Sequence, residues 1–485
     1  MSISFRDPSG RVRIVAGRVL RFVNPAGEPD IRAALASATL QKFIDEGRVV
    51  GTRVVEATEA ALLSEKLADE GETDEAVETY SASPALVLEH ERIAFQSFPY
   101  EWPPEMLHAA GGLTLDLTEA LLSENLGLKD ATPYNILFRG AEPVFVDVLS
   151  FERREAGDAV WLAYAQFVRS FLLPLLVNAH FGMTLGQIFT TSREGLQPEA
   201  VARMCSPLKK LRPPFLTLVT LPSRLSSAPT AQDDSIYRRR LSADAEKARF
   251  ILRRQFKGLR RKLEGVGARA KRRSSWSDYM TKEGHLTESY VREKRGFVEE
   301  ALAEFRPRRV LDVGANTGYF SRTAARSGAR VVAIDSDEAS VGEIFRGARA
   351  EELDVLPLVI DIARPSPATG WRNREQPSFL ERARRSFDAV LMLAVCHHLM
   401  VSELIPLDEI AELASELTER FLLVEFVGAD DPMFRRLTRG RAALFEHFTR
   451  ETFEAAFGRR FRLVRSRPLA ESGRWLYLYS KGGDA

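Results

Sequence analysis

The chain has 485 residues, 45% of them hydrophobic and 28% charged, a composition that excludes whole-chain disorder, a collagen repeat or a coiled-coil rod. At roughly 150 residues per domain, the length calls for two or three domains. Lys and Arg (68) balance Asp and Glu (67) to a formal charge of +1, which excludes a uniformly basic coat protein for nucleic acid and leaves only local basic faces.

Residues 1–60 alternate apolar and polar positions in VRIVAGRVLRFV and RVVGTRVVEA. This predicts short strands with one helix, near Ile31 to Glu46, between them. Residues 83–98, SPALVLEHERIAFQSF, read as a further strand pair. From Pro103 to Asn125 a stripe of Leu107, Leu113, Leu117, Leu121 and Leu122 predicts an amphipathic helix. The segment LKDATPYNILFRGAEPVFVDVLSFE reads as loop, strand, turn at Arg139-Gly140, strand. The apolar stretch Trp161 to Met183 contains Gln166, Arg169, Pro174 and Asn178. It is too polar to span a bilayer and reads as a buried helix pair. The N-terminal twenty residues lack the apolar core of a secretory signal.

Residues 224–240 are polar and turn-rich, which marks a linker. Residues 238–273 are rich in Arg and Lys, with Phe250, Ile251, Phe256, Leu259 and Leu263 at helical spacing. Two readings fit this basic helix: a solvated bridge between domains, or a contact for a polyanion such as RNA or membrane phosphates. The expected division is an N-terminal α+β domain over 1–223, a linker and basic helix over 224–275, and an α/β domain over 276–485.

The last domain opens with an amphipathic helix, Leu286 to Phe305, carrying Val291, Phe297, Val298, Leu302 and Phe305 on one face. Apolar runs then alternate with helical segments. The expected strands are Arg309–Val313, Arg330–Ile334, Pro357–Ile360, Ala389–Ala394 and Phe421–Phe426, with two more near Phe461–Val464 and Trp475–Tyr479. Strands separated by helices imply a mostly parallel, doubly wound Rossmann-like sheet. The last two, close together, imply an antiparallel hairpin at its edge.

Most of the chemistry lies in RVLDVGANTGYFSRTAARSGARVVAIDSD. A buried strand runs into Asp312-Val313-Gly314-Ala315-Asn316-Thr317-Gly318, and a helix starts near Tyr319. Glycines let a loop turn tightly and let a ligand approach bare backbone. A second strand ends at Asp335, about 20 residues on, where an acid can accept hydrogen bonds from ribose hydroxyls. A dinucleotide loop would read G-x-G-x-x-G and offer a helix N-terminus to pyrophosphate. Here the pattern is D-x-G-x-x-x-G, and a carboxylate at the strand end suits a cationic ligand with no phosphate.

On these residues the segment from Arg309 to Lys481 resembles the class I S-adenosylmethionine-dependent methyltransferases. The resemblance implies S-adenosylmethionine as cofactor. It maps Asp312, Gly314, Asn316 and Gly318 onto the methionyl part and Asp335, with Asp337 beside it, onto the ribose. It maps Asp361 in LVIDIA onto the adenine amine. PSPATGWRNREQPSFLERA (365–383), CHHLMVSELIPLDEI and VEFVGADDPMF further resemble a bacterial branch that includes nodulation-associated proteins. His397 and His398, just past the fourth strand, are candidate bases, and Glu425 at the end of the fifth is another. Each also has a plainer reading, as a helix cap, a packed ring or a loop support. Trp371, Asn373 and Glu375 lie in a long insertion that reads either as a lid or as a surface loop anchored by Trp371. His447 reads as structural, and Cys396 as an unneeded nucleophile. Cys205 and Cys396 lack the spacing of a zinc site, so no metal is expected, and free thiols fit a cytoplasmic setting.

A second resemblance lies in Leu128 to Phe138. An Asp precedes an Asn by five positions before a strand, as in the catalytic loop of kinases and aminoglycoside-phosphotransferase-like enzymes. It implies Asp130 as base and Asn135 and Asp147 as Mg²⁺ ligands. Leu128-Lys129 replaces the His-Arg of that pattern, Val148-Leu149 follows Asp147 where Phe-Gly is usual, and no glycine-rich phosphate loop occurs in residues 1–60. The sequence therefore predicts methyl transfer to an oxygen or nitrogen of an unidentified acceptor selected by the N-terminal domain. The competing expectations are a Mg-ATP-dependent phosphotransferase with a regulatory cofactor domain, and a non-catalytic S-adenosylmethionine sensor or scaffold.

Overall fold

The computed structural model describes residues 6–56, 58–63, 84–226, 241–267, 287–470 and 472–482. Most of the expected linker, the basic run 268–273 and the start of the C-terminal domain near Ser274 lie outside these residues.

The N-terminal half begins with an antiparallel sheet in the order β1-β2-β4-β3, built from β1 (Gly10–Val15), β2 (Arg18–Val23), β3 (Thr52–Val54) and β4 (Leu86–His90). The single helix expected near Ile31 to Glu46 is two, Glu28–Leu35 and Ala38–Asp45. Ser37 separates them because its hydroxyl accepts the Leu40 N–H and caps the second. The strand pair expected over 83–98 is one strand, β4. Beyond it the Glu101 carboxylate accepts the Phe98 N–H at 3.1 Å, and this local bond, with Pro99 next in line, takes the chain out of the ladder.

The helix Pro104–Leu121 is the centre of this half and buries Met106, Leu107, Leu113, Leu117 and Leu121. The strands β5 (Leu126–Leu128) and β8 (Phe151–Arg153) pair beside it. The hairpin β6 (Ile136–Arg139) and β7 (Glu142–Phe145) turns at Gly140. The stretch expected as a helix pair is one helical run from Tyr164 to Phe181, with a π-turn over Val168–Leu172. The wider turn lets the chain pass Pro174, which has no N–H to donate.

The basic helix, Ala245–Gly267, is not a solvated bridge. It buries Leu252, Phe256, Leu259 and Leu263, with Phe256 edge-on to Trp161 at 5.2 Å between ring centres. Arg260 binds Asp116 of the central helix at 2.8 Å.

The C-terminal half is a seven-stranded sheet in the order β11-β10-β9-β12-β13-β15-β14. Its strands are β9 (Arg309–Val313), β10 (Arg330–Asp335), β11 (Val355–Val359), β12 (Phe387–Met392), β13 (Thr418–Phe426), β14 (Arg462–Pro468) and β15 (Trp475–Ser480). The first five are parallel, and β15 and β14 close the sheet antiparallel, as the alternating pattern predicted. The chain leaves β9 in one direction for β10 and β11 and returns on its other side with β12. Such a switch point opens a crevice at the carboxyl ends of the strands.

The buried apolar cluster runs continuously through both halves. Phe138 of β6 meets Phe345 edge-on. Asn178 donates to Glu338 at 2.8 Å. The insertion between β11 and β12 docks on the N-terminal half through Arg382 on Glu101, both buried, and through Arg193 on Glu375 at 3.2 Å. Trp371 does not anchor that insertion, since its surface is 63% exposed.

Candidate functional site

At the switch point the strand ends enclose a cavity of about 380 Å³. Gly314 shapes its floor and Gly318 backs it, with φ of +68° and +76°. A Cβ on Gly314 would lie 2.5 Å from Cγ2 of Val395, and one on Gly318 would lie 2.8 Å from Cγ1 of Ile344. Both positions therefore demand glycine twice over, for backbone conformation and for space. Asn316 between them is also left-handed, at φ 51°.

Three strands bring carboxylates to this cavity. Asp312 of β9 is buried and accepts the Ser321 hydroxyl at 2.6 Å. Burial pushes its carboxyl up to about 7, with Ser321 pulling the other way. Asp335 ends β10 and accepts the N–H groups of Asn316 (2.8 Å) and Asp337 (2.9 Å), which tie the glycine loop to the second strand. Burial raises its pKa as well. Asp337 also lines the cavity, but its carboxylate caps the helix Glu338–Ala350 through Ser340. Asp361, just past β11, accepts the Ala363 N–H at 3.0 Å and meets Arg364 at 2.8 Å. The cavity lining includes Asp312, Gly314, Asn316, Asp335 and Asp361 together; Gly318 supports it from behind.

The candidate bases separate. His398 lines the cavity, whereas His397 and Glu425 do not. The two imidazoles meet at a tilt of 42°, 4.2 Å between ring centres. Burial lowers both pKa values, and His398, Arg474 and Lys294 add to the effect on His397. Both rings are thus neutral near neutral pH, the form in which a histidine accepts a proton. Cys396 is buried, and desolvation pushes its thiol up to about 12, which removes it as a nucleophile. His447 is exposed and away from the cavity.

Glu425 is fully buried and accepts Lys294 Nζ at 2.6 Å, the Tyr290 hydroxyl at 2.7 Å and Arg474 Nη1 at 3.4 Å. Burial opposes its charge, but Lys294 and Arg474 more than offset this and hold its carboxyl below the usual range. A carboxylate with this many donors is a support rather than a base. What it supports is Lys294, which lines the cavity. Lys294, Tyr290, Arg474 and Asp431 form this network, and none of them was singled out by the sequence reading. The available signal was Lys294 itself, a lysine three residues from both Val291 and Phe297 on the apolar face of its helix.

The Asp130–Asn135–Asp147 set lies in the other half. Asp147 Oδ1 pairs with Arg21 at 2.7 Å, and its Oδ2 accepts the Ser150 hydroxyl at 2.7 Å. Asn135 donates to Ser150 at 2.9 Å. Asn135, Asp147 and Arg21 border a second cavity of about 570 Å³, whose lining does not include Asp130. Among the described residues no three His, Cys, Asp or Glu side chains are placed to hold a metal.

A glycine loop, three strand-end carboxylates and a mostly parallel sheet with an antiparallel final pair define an S-adenosylmethionine-dependent methyltransferase. The family described as methyltransferase domain matches residues 253–460. Along almost its whole length the chain belongs to the family of nodulation protein NoeA of Rhizobium meliloti (strain 1021), to which it is 30% identical over 483 residues, 99% of this chain and 95% of that protein. Among solved structures it is similar to the N-methyltransferase NodS from Bradyrhizobium japonicum WM9, at 14% identity and a TM-score of 0.30, over 40% of this chain and 97% of that one. It is also similar to magnesium protoporphyrin IX methyltransferase (ChlM) from Synechocystis PCC 6803, at 18% identity and a TM-score of 0.29, over 40% and 84%.

Proposed function

We propose that the C-terminal half transfers a methyl group to an oxygen or nitrogen of an acceptor that the N-terminal half selects. The observation that carries this is the convergence of Asp312, Asp335 and Asp361, from three successive strands, on one glycine-floored cavity. When bound, S-adenosylmethionine supplies an electrophilic methyl on a sulfonium.

The roles of the residues follow from their chemistry. Asp335, its carboxylate fixed by two backbone N–H groups, accepts from ribose hydroxyls. Asp361 faces the adenine amine, and Asp312 the cationic methionine end. His398, neutral and at the cavity wall, takes the acceptor's proton. Proximity and alignment in the cavity supply most of the acceleration.

We infer a kinase-like ancestry for the N-terminal half from its resemblance at Asp130, Asn135 and Asp147; the order of elements around them, antiparallel sheet, central helix, loop and hairpin, supports that reading. Arg21 and Ser150 engage the two oxygens of Asp147, so a Mg²⁺ ion bound there would have to share or displace these partners. We place the protein in the cytoplasm on its two free thiols. Among the described residues no helix is long and apolar enough to cross a membrane.

The test is calorimetric titration of S-adenosylhomocysteine into the full-length protein and an Asp335→Ala variant. Binding by the wild type, lost in the variant, is the expected result. A folded wild type that does not bind overturns the reading.

A further inference from the structure

Residues 200–226 carry Arg203, Lys209, Lys210, Arg212 and Arg224 and no acid. The segment folds as the helices Pro198–Met204 and Pro207–Lys210 and a helical run from Leu216 to Ser226 that opens with a π-turn. The three pieces pack on one another, and the Thr220 hydroxyl donates to the Lys210 carbonyl at 2.7 Å. Val201, Cys205, Phe215, Leu218 and Val219 are buried in the core. A helix that buries one apolar face ordinarily turns polar side chains outward. Here the outward side chains include Met204, Leu208, Leu211, Leu221 and Leu225, with Leu208 72% and Leu225 71% exposed.

The cations lie among these leucines in sequence: Leu208-Lys209-Lys210-Leu211-Arg212, then Arg224-Leu225. Lys209 leans on the rings of Phe181 and Phe215, 4.2 and 5.4 Å from their centres. Arg203, Arg212 and Arg224 are exposed, and among the described residues no carboxylate pairs with them or with Lys210. A face kept only for solubility has no use for the leucines. A contact for a polyanion such as RNA needs the cations but not the leucines. The two together fit the interface of a bilayer with anionic headgroups. There apolar side chains enter the acyl boundary, and Lys and Arg meet the phosphates.

We propose that the face formed by residues 203–225 docks the N-terminal half on an anionic membrane surface. It lies on the bilayer rather than crossing it, since none of these helices is long enough to span. The leucines supply the insertion, and Lys210, Arg212 and Arg224 the attraction to the headgroups. The proposal stands apart from the cofactor reading, because it uses no residue of either cavity.

Co-sedimentation of the full-length chain with vesicles tests this, using phosphatidylcholine alone and phosphatidylcholine with about 30% phosphatidylserine. The wild type is expected to bind the mixed vesicles about tenfold more tightly than the neutral ones, and to be released as salt rises. Leu208→Ser, Leu211→Ser and Leu225→Ser together are expected to weaken binding about tenfold or more. Lys210→Gln, Arg212→Gln and Arg224→Gln together bring it down toward the level on neutral vesicles. Both triple variants change side chains at the surface, so each keeps the wild-type unfolding midpoint. A wild type that binds neither vesicle, or both equally, overturns the proposal, whether or not the variants fold. So does a leucine variant that binds as the wild type does, because cations elsewhere on the chain then carry the contact. A charge variant that binds unchanged does the same. A wild-type dimer that turns monomeric in the leucine variant, with no vesicle binding, overturns it in favour of a second copy of this chain.

Discussion

Gly314 and Asp312 are two residues apart and fail in different ways when changed. Gly314→Ala meets Val395 and a left-handed backbone at once, so it is expected to cost about 1–3 kcal/mol of stability in a denaturant titration and to abolish S-adenosylhomocysteine binding. A variant as stable and as tight as the wild type would mean the loop is not held as described. Asp312 sets a pH dependence. Its folded-state pKa, about 7, lies above the usual 3.8, so the folded chain holds this proton more tightly than the unfolded one. In the empty cavity this contribution to stability is full below the usual value and is lost as pH rises through about 7. The ammonium of a bound ligand needs the ionised form. Affinity for S-adenosylhomocysteine is therefore expected to fall as pH drops below about 7, and calorimetry at about pH 6 and about pH 8 should show it. Equal affinities would mean that Asp312 keeps one charge state across that range or does not meet the ammonium. These residues were legible because glycines and acids at fixed spacing along one strand and loop record local backbone needs. Lys294 was not, because its partner Glu425 is 131 positions away and only the tertiary fold brings them together.

Elements were legible where a period was sustained. All seven strands of the C-terminal sheet are present, shifted by a few residues at their ends. The elements that were misread are those in which one side chain overrides the pattern: Ser37 capping a new helix, Glu101 drawing the chain out of a strand, a π-turn carrying a helix past Pro174. The basic helix had a legible amphipathic period, but a period does not name what the apolar face packs on. That face lies on the central N-terminal helix, so Phe256→Ala is expected to cost about 3–5 kcal/mol by chemical denaturation. Its outer face exposes Arg253, Arg254, Lys257 and Arg261. If this face takes a polyanion, retention of the protein on immobilised heparin falls steeply with salt, and replacing the four cations with Gln flattens the slope. A shallow slope for the wild type leaves the face merely solvated.

At the scale of the molecule, the continuous core joins the halves through Phe138, Phe345, Asn178 and Glu338. Composition marks a polar boundary near 224–275 but carries no trace of the contacts that close over it. One cooperative unfolding transition is expected, moved upward as a whole by S-adenosylhomocysteine. Two transitions, only one of them responsive, would show that the halves unfold separately. Arg382→Ala strands the buried Glu101 and is expected to destabilise the whole chain by about 3–5 kcal/mol, read as a shift of that one transition.

The Glu101–Arg382 pair also bears on how such a chain can be recombined. Arg382 sits on the helix Phe379–Ala383, in the insertion between β11 and β12. A hybrid that joins this second half to a foreign first half leaves a guanidinium inside the protein with nothing of opposite sign opposite it. Grafts between relatives are expected to be tolerated only when position 101 and position 382 travel together, so a recombined chain must move the two halves as a unit even though their sequences read as separate modules.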